Sequence, residues 1–219
     1  MALILCIETS TTNCSVAVSN NEKLLSLVEE DSKNYSHAEQ LHNFIEKALK
    51  NAKISKSQLH AIAVSKGPGS YTGLRIGVSS AKGLAYALGI PLISVSTLQS
   101  LAVQAREADH IISMIDARRM EVYTQTFNSK LESTNQIESK ILDATSFRTI
   151  LNSDKQVCLI GNGVNKFKEI CDTSDNVTFI SANPSAKDMV GLALNKSKQQ
   201  LFEDVAYFEP FYLKEFVGG

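Results

Sequence analysis

The segment ILCIE at residues 4–8 returns in pattern as ISMID at 112–116, and each copy is soon followed by an alternating strand, CSVAVS in the first case and EVYTQTF in the second. An echo of this kind constrains the chain strongly, because it asks for two copies of one α/β unit rather than one large sheet. Around the first copy, LILCIE, CSVAVSN and KLLSLVEE read as an antiparallel meander interrupted by the polar TSTTN and NNE. Ser36 with Glu39 forms a capping box before Ala38, Leu41, Ile45, Ala48, Leu49 and Ala52, whose spacing predicts an amphipathic helix ending near Ala52. HAIAVS then reads as a strand, a helix runs from about Gly73 to Leu88 before Gly89 and Pro91, and PLISVS is a fifth strand. The order βββαβαβ implies a mixed sheet whose last strands are parallel and covered by helices. Beyond the second copy the pattern gives a helix around Ser146 to Leu151, a strand QVCLIG, a helical VNKFKEIC, a short strand VTFIS and a last helix after Pro184.

These two similar α/β halves with mixed sheets, placed at 1–102 and 103–219 with the C-terminal segment able to pack back on the first, resemble the actin, hexokinase and sugar-kinase superfold. At 219 residues and 43% hydrophobic, the chain can bury one large core or two small ones. A net charge of −1 argues against a protein that grips nucleic acid unaided. Cys6, Cys14, Cys158 and Cys171 show no Cys-x-x-Cys pairing and read as reduced thiols, with Cys158 inside an apolar strand where a thiolate is poorly stabilised. The apolar start of MALILCIETS has no basic residues before it and stops at Glu8, so neither a signal peptide nor a membrane anchor is expected and the cytoplasm is the expected location.

SKGPGSYTGLRIG, residues 65–77, joins a strand to a helix. A dinucleotide fingerprint would need glycine at 72, where Thr72 stands, and a phosphate-binding Gly-Lys-Ser/Thr loop would need lysine after Gly73, where Leu74 stands. The loop therefore reads as a corner, with glycines for unusual backbone angles, Pro68 for stiffness and Ser70 or Thr72 as the cap, although a helix start behind such a turn can still receive an anion. In the helix, Gly73, Gly77, Ala81 and Ala85 recur every four residues. This nearly bare stripe faces either the chain's own sheet or a helix of another subunit, and the helix carries only Arg75 and Lys82 as charges.

GPGSYTGLRIG followed by AKGLAYALGIPLISVSTL resembles the signature of the TsaB family, bacterial proteins needed to make N6-threonylcarbamoyladenosine in tRNA. IDARRMEVY at 115–123 is similar to the family's Ile-Asp-Ala-Arg segment, and EPFYLK at 209–214 to its closing Pro-x-Tyr-Leu-Arg, with Lys214 where arginine is common. The matches lie at the front, middle and end, so the resemblance spans nearly the whole chain. It implies an actin-like fold and an accessory role beside TsaD, the catalytic sister subunit, with the TsaE ATPase as a third partner and tRNA reached through the complex. ATP or ADP and a divalent metal would then belong to the assembly, with no cofactor bound by this chain alone. In the sister, two histidines four apart on one helical face hold the metal; here VSTLQSL, residues 95–101, places Thr97 and Leu101 at those positions, and leucine cannot ligate a metal.

The resemblance also directs attention to a partner face on the first half, formed by the helix 36–52 (His37, Leu41, Ile45) and the small-residue helix (Gly73, Arg75, Gly77, Ala81, Lys82, Ala85). In isolation the same face is expected to support a homodimer. His37 and His42, five apart, do not share a helical face and make no metal pair. Glu8 and Asp116 end the first strand of each half, where actin-like enzymes keep acids that address a nucleotide-bound metal; a carboxylate facing solvent is the simpler alternative. Gly161 and Gly163 of LIGNGV either face a nucleotide or make a turn. Two other activities stay open at this point: a stand-alone metallopeptidase, which Thr97 and Leu101 oppose, and an actin-fold small-molecule kinase, for which no complete phosphate set is visible.

Overall fold

The computed structural model describes residues 2–32, 37–172 and 174–214. The chain forms two compact units, one of residues up to 97 together with those from 184 onward, the other of 98–183.

In the first unit β1 (Leu3–Glu8), β2 (Asn13–Asn20) and β3 (Lys23–Asp31) form the expected meander. α1 (His37–Ala52) follows; Ser36, its predicted cap, lies outside the described residues. β4 (Ala61–Gly67) and β5 (Leu92–Ser96) add in parallel beside β1, joined by α2 (Tyr71–Leu88), and give the order β3-β2-β1-β4-β5. Ser70 is the α2 cap, its hydroxyl accepting the Gly73 N–H, and Gly89 ends the helix at φ 63°.

The alternation of β1 fixes both faces. Leu3, Leu5 and Ile7 join Val16, Val18, Ile62 and Val64 under Leu41, Ile45 and Ala48 of α1 and Val78, Ala81 and Ala85 of α2. Ile4 and Cys6 join Ala17, Ala63, Ile93 and Val95 on the other face, and what covers them comes from the end of the chain, a 3-10 turn at Ala186–Met189 and the helix behind it, Val190–Lys198.

The second unit begins within α3 (Thr97–Ala102) and contains β6 (His110–Asp116), β7 (Glu121–Asn128), β8 (Glu138–Ile141), α4 (Arg148–Leu151), β9 (Val157–Ile160), α5 (Val164–Lys168) and β10 (Val177–Ile180); the terminal helix Val190–Lys198 is α6. Its sheet order, β10-β9-β6-β7-β8, is that of the first unit strand for strand, with β6 in the place of β1 and β9 in the place of β4. The echo of ILCIE in ISMID therefore marks the central strand of each sheet. β8 was not legible in the sequence, because ESKI carries no apolar alternation and pairs only as an edge.

The units divide elsewhere than 1–102 and 103–219. Leu98, Leu101 and Ala102 pack with Ile111, Ile115, Phe127 and Ile160 of the second sheet, which moves the division to residue 97. The second unit also ends at 183, because α6 supplies the missing cover of the first sheet.

Candidate functional site

The glycine loop is a clamp on the end of β1. Ser70 N–H donates to the Ser10 carbonyl at 2.7 Å, and a Cβ on Gly69 would stand 2.5 Å from that oxygen. Gly73 and Gly77 press the start of α2 onto Thr9: a Cβ on Gly73 would meet the Thr9 carbonyl at 2.1 Å, and one on Gly77 the Thr9 hydroxyl at 2.2 Å. That hydroxyl donates to the Gly73 carbonyl at 2.8 Å. The small-residue stripe thus faces the chain's own sheet, with Ala81 and Ala85 buried beside it. Leu41 and Ile45 are core residues as well, and His37, 2% exposed, donates from Nε2 to the Thr11 carbonyl at 2.6 Å.

Of the nine residues expected at a partner face, these seven are covered by the chain itself, and the physical reason is the closeness of α2 to Thr9, which leaves no room for a second helix on the stripe. Arg75 is exposed, lying 4.2 Å over the Tyr71 ring and bonded to its hydroxyl, while Tyr71 stacks with Tyr212 at 4.4 Å. Lys82 is half-buried and donates to the carbonyls of Ala206 and Phe208, fastening the C-terminal segment to α2. The outer side of α2 is formed instead by Thr72, Arg75, Ser79, Gly83, Tyr86 and Ala87, with Tyr86 83% exposed.

The GNG loop is the same device in the second unit. Gly161, directly after β9 much as Gly67 closes β4, sits at φ 133° with its Cβ direction closed by the Met114 carbonyl at 1.9 Å. A Cβ on Gly163 would stand 2.7 Å from Val122 Cγ1, and the Gly163 N–H donates to the Met114 carbonyl at 3.2 Å. These glycines are spent on packing against β6. Asp116 is exposed and holds Lys166 Nζ at 2.8 Å.

Glu8 is fully buried rather than facing solvent. Its Oε1 accepts from the Ser10 N–H and the Ser65 hydroxyl, both at 2.7 Å, while among the described residues Oε2 has no hydrogen-bond partner. Burial pushes its carboxyl above the ordinary carboxylate range, opposed by the bonds from Ser10, Ser65 and Thr9. Thr97 and Leu101 are fully buried, Leu101 in the core beside Gly161. Among the described residues no three histidine, cysteine, aspartate or glutamate side chains gather as a metal would require. The four cysteines are free; burial pushes the thiols of Cys6 and Cys14 up to about 12 and that of Cys158 to about 11, which removes them as nucleophiles. Thr9, Ser65 and Lys166 have structural roles that sequence reading missed, since no motif marks a residue whose work is to touch a glycine or a turn.

A family model described as "TsaD: tRNA N6-adenosine threonylcarbamoyltransferase" matches residues 29–216. A relative named "tRNA threonylcarbamoyladenosine biosynthesis protein TsaB" in Buchnera aphidicola subsp. Schizaphis graminum is 31% identical over 206 residues, covering 90% of this chain and 95% of its own length. The chain belongs to the TsaB family. The protein of the same name in Bacillus subtilis is 34% identical over 174 residues, 76% of this chain and 74% of that one. The solved structure of YeaZ from Pseudomonas aeruginosa superposes with a TM-score of 0.83 at 28% identity, covering 97% of this chain and all of its own. A component of (R)-2-hydroxyglutaryl-CoA dehydratase from Acidaminococcus fermentans, 11% identical with a TM-score of 0.55, shares the fold alone, which is the actin-like one. This TsaB-family chain is thus a member of a tRNA threonylcarbamoyladenosine biosynthesis family, as its signature segments imply.

Proposed function

We propose that this chain is a non-catalytic accessory subunit, which pairs with a TsaD-type catalytic subunit and activates transfer of the threonylcarbamoyl group to tRNA adenosine. One observation carries the reading: where the resemblance puts the sister's metal-holding histidines, this chain has Thr97 and Leu101, both fully buried, with Leu101 built into an apolar core. A metallopeptidase reading meets the same obstacle. For a kinase, the two glycine loops offer little, since both are closed against their own strands.

With the stripe of α2 occupied, the pairing surface is assigned to the outer sides of α1 and α2, where Tyr86, Arg75 and His42 are exposed. An isolated chain would use the same surface for a homodimer. A TsaE-type ATPase completes the assembly, ATP or ADP and a divalent metal belong to the partners, and tRNA is reached through the complex in the cytoplasm. Among the described residues no helix is long and apolar enough to cross a membrane. Activation follows if the chain binds the competent conformation of the sister more tightly than its alternatives.

The test is threonylcarbamoyl transfer to tRNA by the cognate TsaD-type subunit with its ATPase and donor-generating enzyme, with and without this chain, and by this chain without the sister. Transfer only when both subunits are present is the expected result. Transfer, or hydrolysis of the donor, by this chain alone would overturn the reading.

A further inference from the structure

The turn between β6 and β7 is built unlike an ordinary reversal. Arg118 and Arg119 stand at φ 71° and 48°, in the left-handed region where glycine or asparagine is the usual choice for a tight hairpin. Two consecutive long side chains there are disfavoured, and such a conformation persists only where its surroundings impose it. Lys166 of α5 imposes it. Its Nζ donates to Asp116 Oδ1 at 2.8 Å, to the Arg119 carbonyl at 2.8 Å and to the Glu121 carbonyl at 2.6 Å, which uses all three of its donors on the turn. Asp116 Oδ1 also accepts the Arg118 N–H at 2.6 Å, and Asn162 Oδ1 accepts the Asp116 N–H at 2.8 Å.

The result is a braced tip from which two arginine side chains reach into solvent. Among the described residues neither guanidinium has an ion-pair or hydrogen-bond partner, while the Asp116 carboxylate beneath them is already engaged by Lys166. If the turn served only to reverse the chain, Asn-Gly would do so without strain; the pair of arginines is what the bracing maintains.

We propose that Arg118 and Arg119 form a phosphate clamp for the tRNA backbone. A guanidinium presents a planar fork that matches phosphate oxygens, and a side chain projecting from a braced turn has less freedom to lose on binding than one on a mobile loop. With a net charge of −1 the chain carries no overall basic excess, so the clamp adds a local contact to tRNA held by the whole assembly. This inference rests on the accessory reading above.

The experiment measures binding of unfractionated bacterial tRNA to the full chain assembled with its TsaD-type subunit, over a range of salt concentrations, alongside the KM for tRNA in the transfer reaction. The variants are Arg118→Gly/Arg119→Gly, Arg118→Lys/Arg119→Lys and, as a control at the opposite end of the sheet, Lys155→Ala. The glycine pair relieves the backbone, so its melting temperature is expected to hold or rise while tRNA affinity falls about tenfold and the salt slope drops by about two. The lysine pair is expected to recover most of the salt slope, and Lys155→Ala to change neither quantity. Unchanged affinity and slope in the glycine pair, or an equal loss in Lys155→Ala, would overturn the clamp. Wild-type assemblies that transfer normally while the glycine pair keeps the same KM would overturn it alone, whereas a wild-type chain that gives its sister no activity would overturn the accessory reading.

Discussion

Thr9 and Glu8, neighbours at the end of β1, show how single residues fix the first unit. Thr9 meets two glycines of α2 through two different atoms, and this difference is testable. At Gly77 the obstruction is the Thr9 hydroxyl, with the rest of that side chain at 3.4 Å or more; at Gly73 it is the Thr9 backbone carbonyl. Gly77→Ala is expected to cost about 1–3 kcal/mol by overpacking. Thr9→Ala should recover much of that loss, although it also removes the hydroxyl's bond to Gly73. Gly73→Ala should be rescued by no side-chain change at position 9. Urea unfolding of the single and double variants reads this as a coupling energy, which should be large for the Thr9–Gly77 pair and near zero for Thr9–Gly73. Glu8 predicts a pH dependence. Its folded pKa lies above the unfolded carboxyl value of 4.5, so its contribution to stability is fully present below that pH and is lost as pH rises through the folded value. In Glu8→Gln, stability measured from about pH 4.5 upward should fall less steeply than in the wild type; an identical slope would mean that Glu8 is not the group responsible.

Among the elements, the C-terminal segment shows how a stretch without regular structure is held. Glu203 N–H donates to the Leu92 carbonyl at 2.9 Å, and Phe211 N–H to the Lys66 carbonyl at 2.7 Å. Val205 and Phe208 pack against the α1/α2 core, and Lys82 bonds the carbonyls on either side of Tyr207. Lys82→Met removes both of those bonds while keeping much of the apolar stem. Its expected effect is a stability loss of about 1–2 kcal/mol and faster proteolytic cleavage beyond residue 200, with α2 itself intact by circular dichroism. Much of this level was legible in the sequence. The meander, α1, α2 and the parallel strands follow from periodicities of 2 and 3.6, and the stops at Gly89 and Pro91 fall where expected. α5 is shorter than VNKFKEIC suggests, ending at Lys168, although Ile170 and Cys171 beyond it still pack, partly buried, against the core of the second sheet. The face of the small-residue stripe was not legible, since glycines every four residues permit any close approach, and Thr9 decided which.

For the whole molecule, the position of α6 leads to a prediction about fragments. Residues 1–102 alone would leave Ile4, Cys6, Ala63, Ile93 and Val95 of the first sheet without the cover that Met189, Val190, Ala193 and Leu194 provide. Such a fragment is expected to aggregate or bind an apolar dye, and a version carrying residues 184–214 on a flexible linker to be monodisperse with a cooperative melt. Equal behaviour of the two would contradict the division of the chain at 97 and 184.

The sequence by itself determined the duplication, most of the element types, the corner at GPG and the family, because periodicity, turn chemistry and signature segments are local properties that survive in a linear string. Only the tertiary structure decided that Gly73, Gly77, Gly161 and Gly163 serve the chain's own strands, that Glu8 is buried, that α6 completes the first unit, and that Lys166 braces two arginines in a turn. Each of those depends on which distant residue fills the space beside a given backbone, and that is set by packing across the fold rather than by neighbours in the chain.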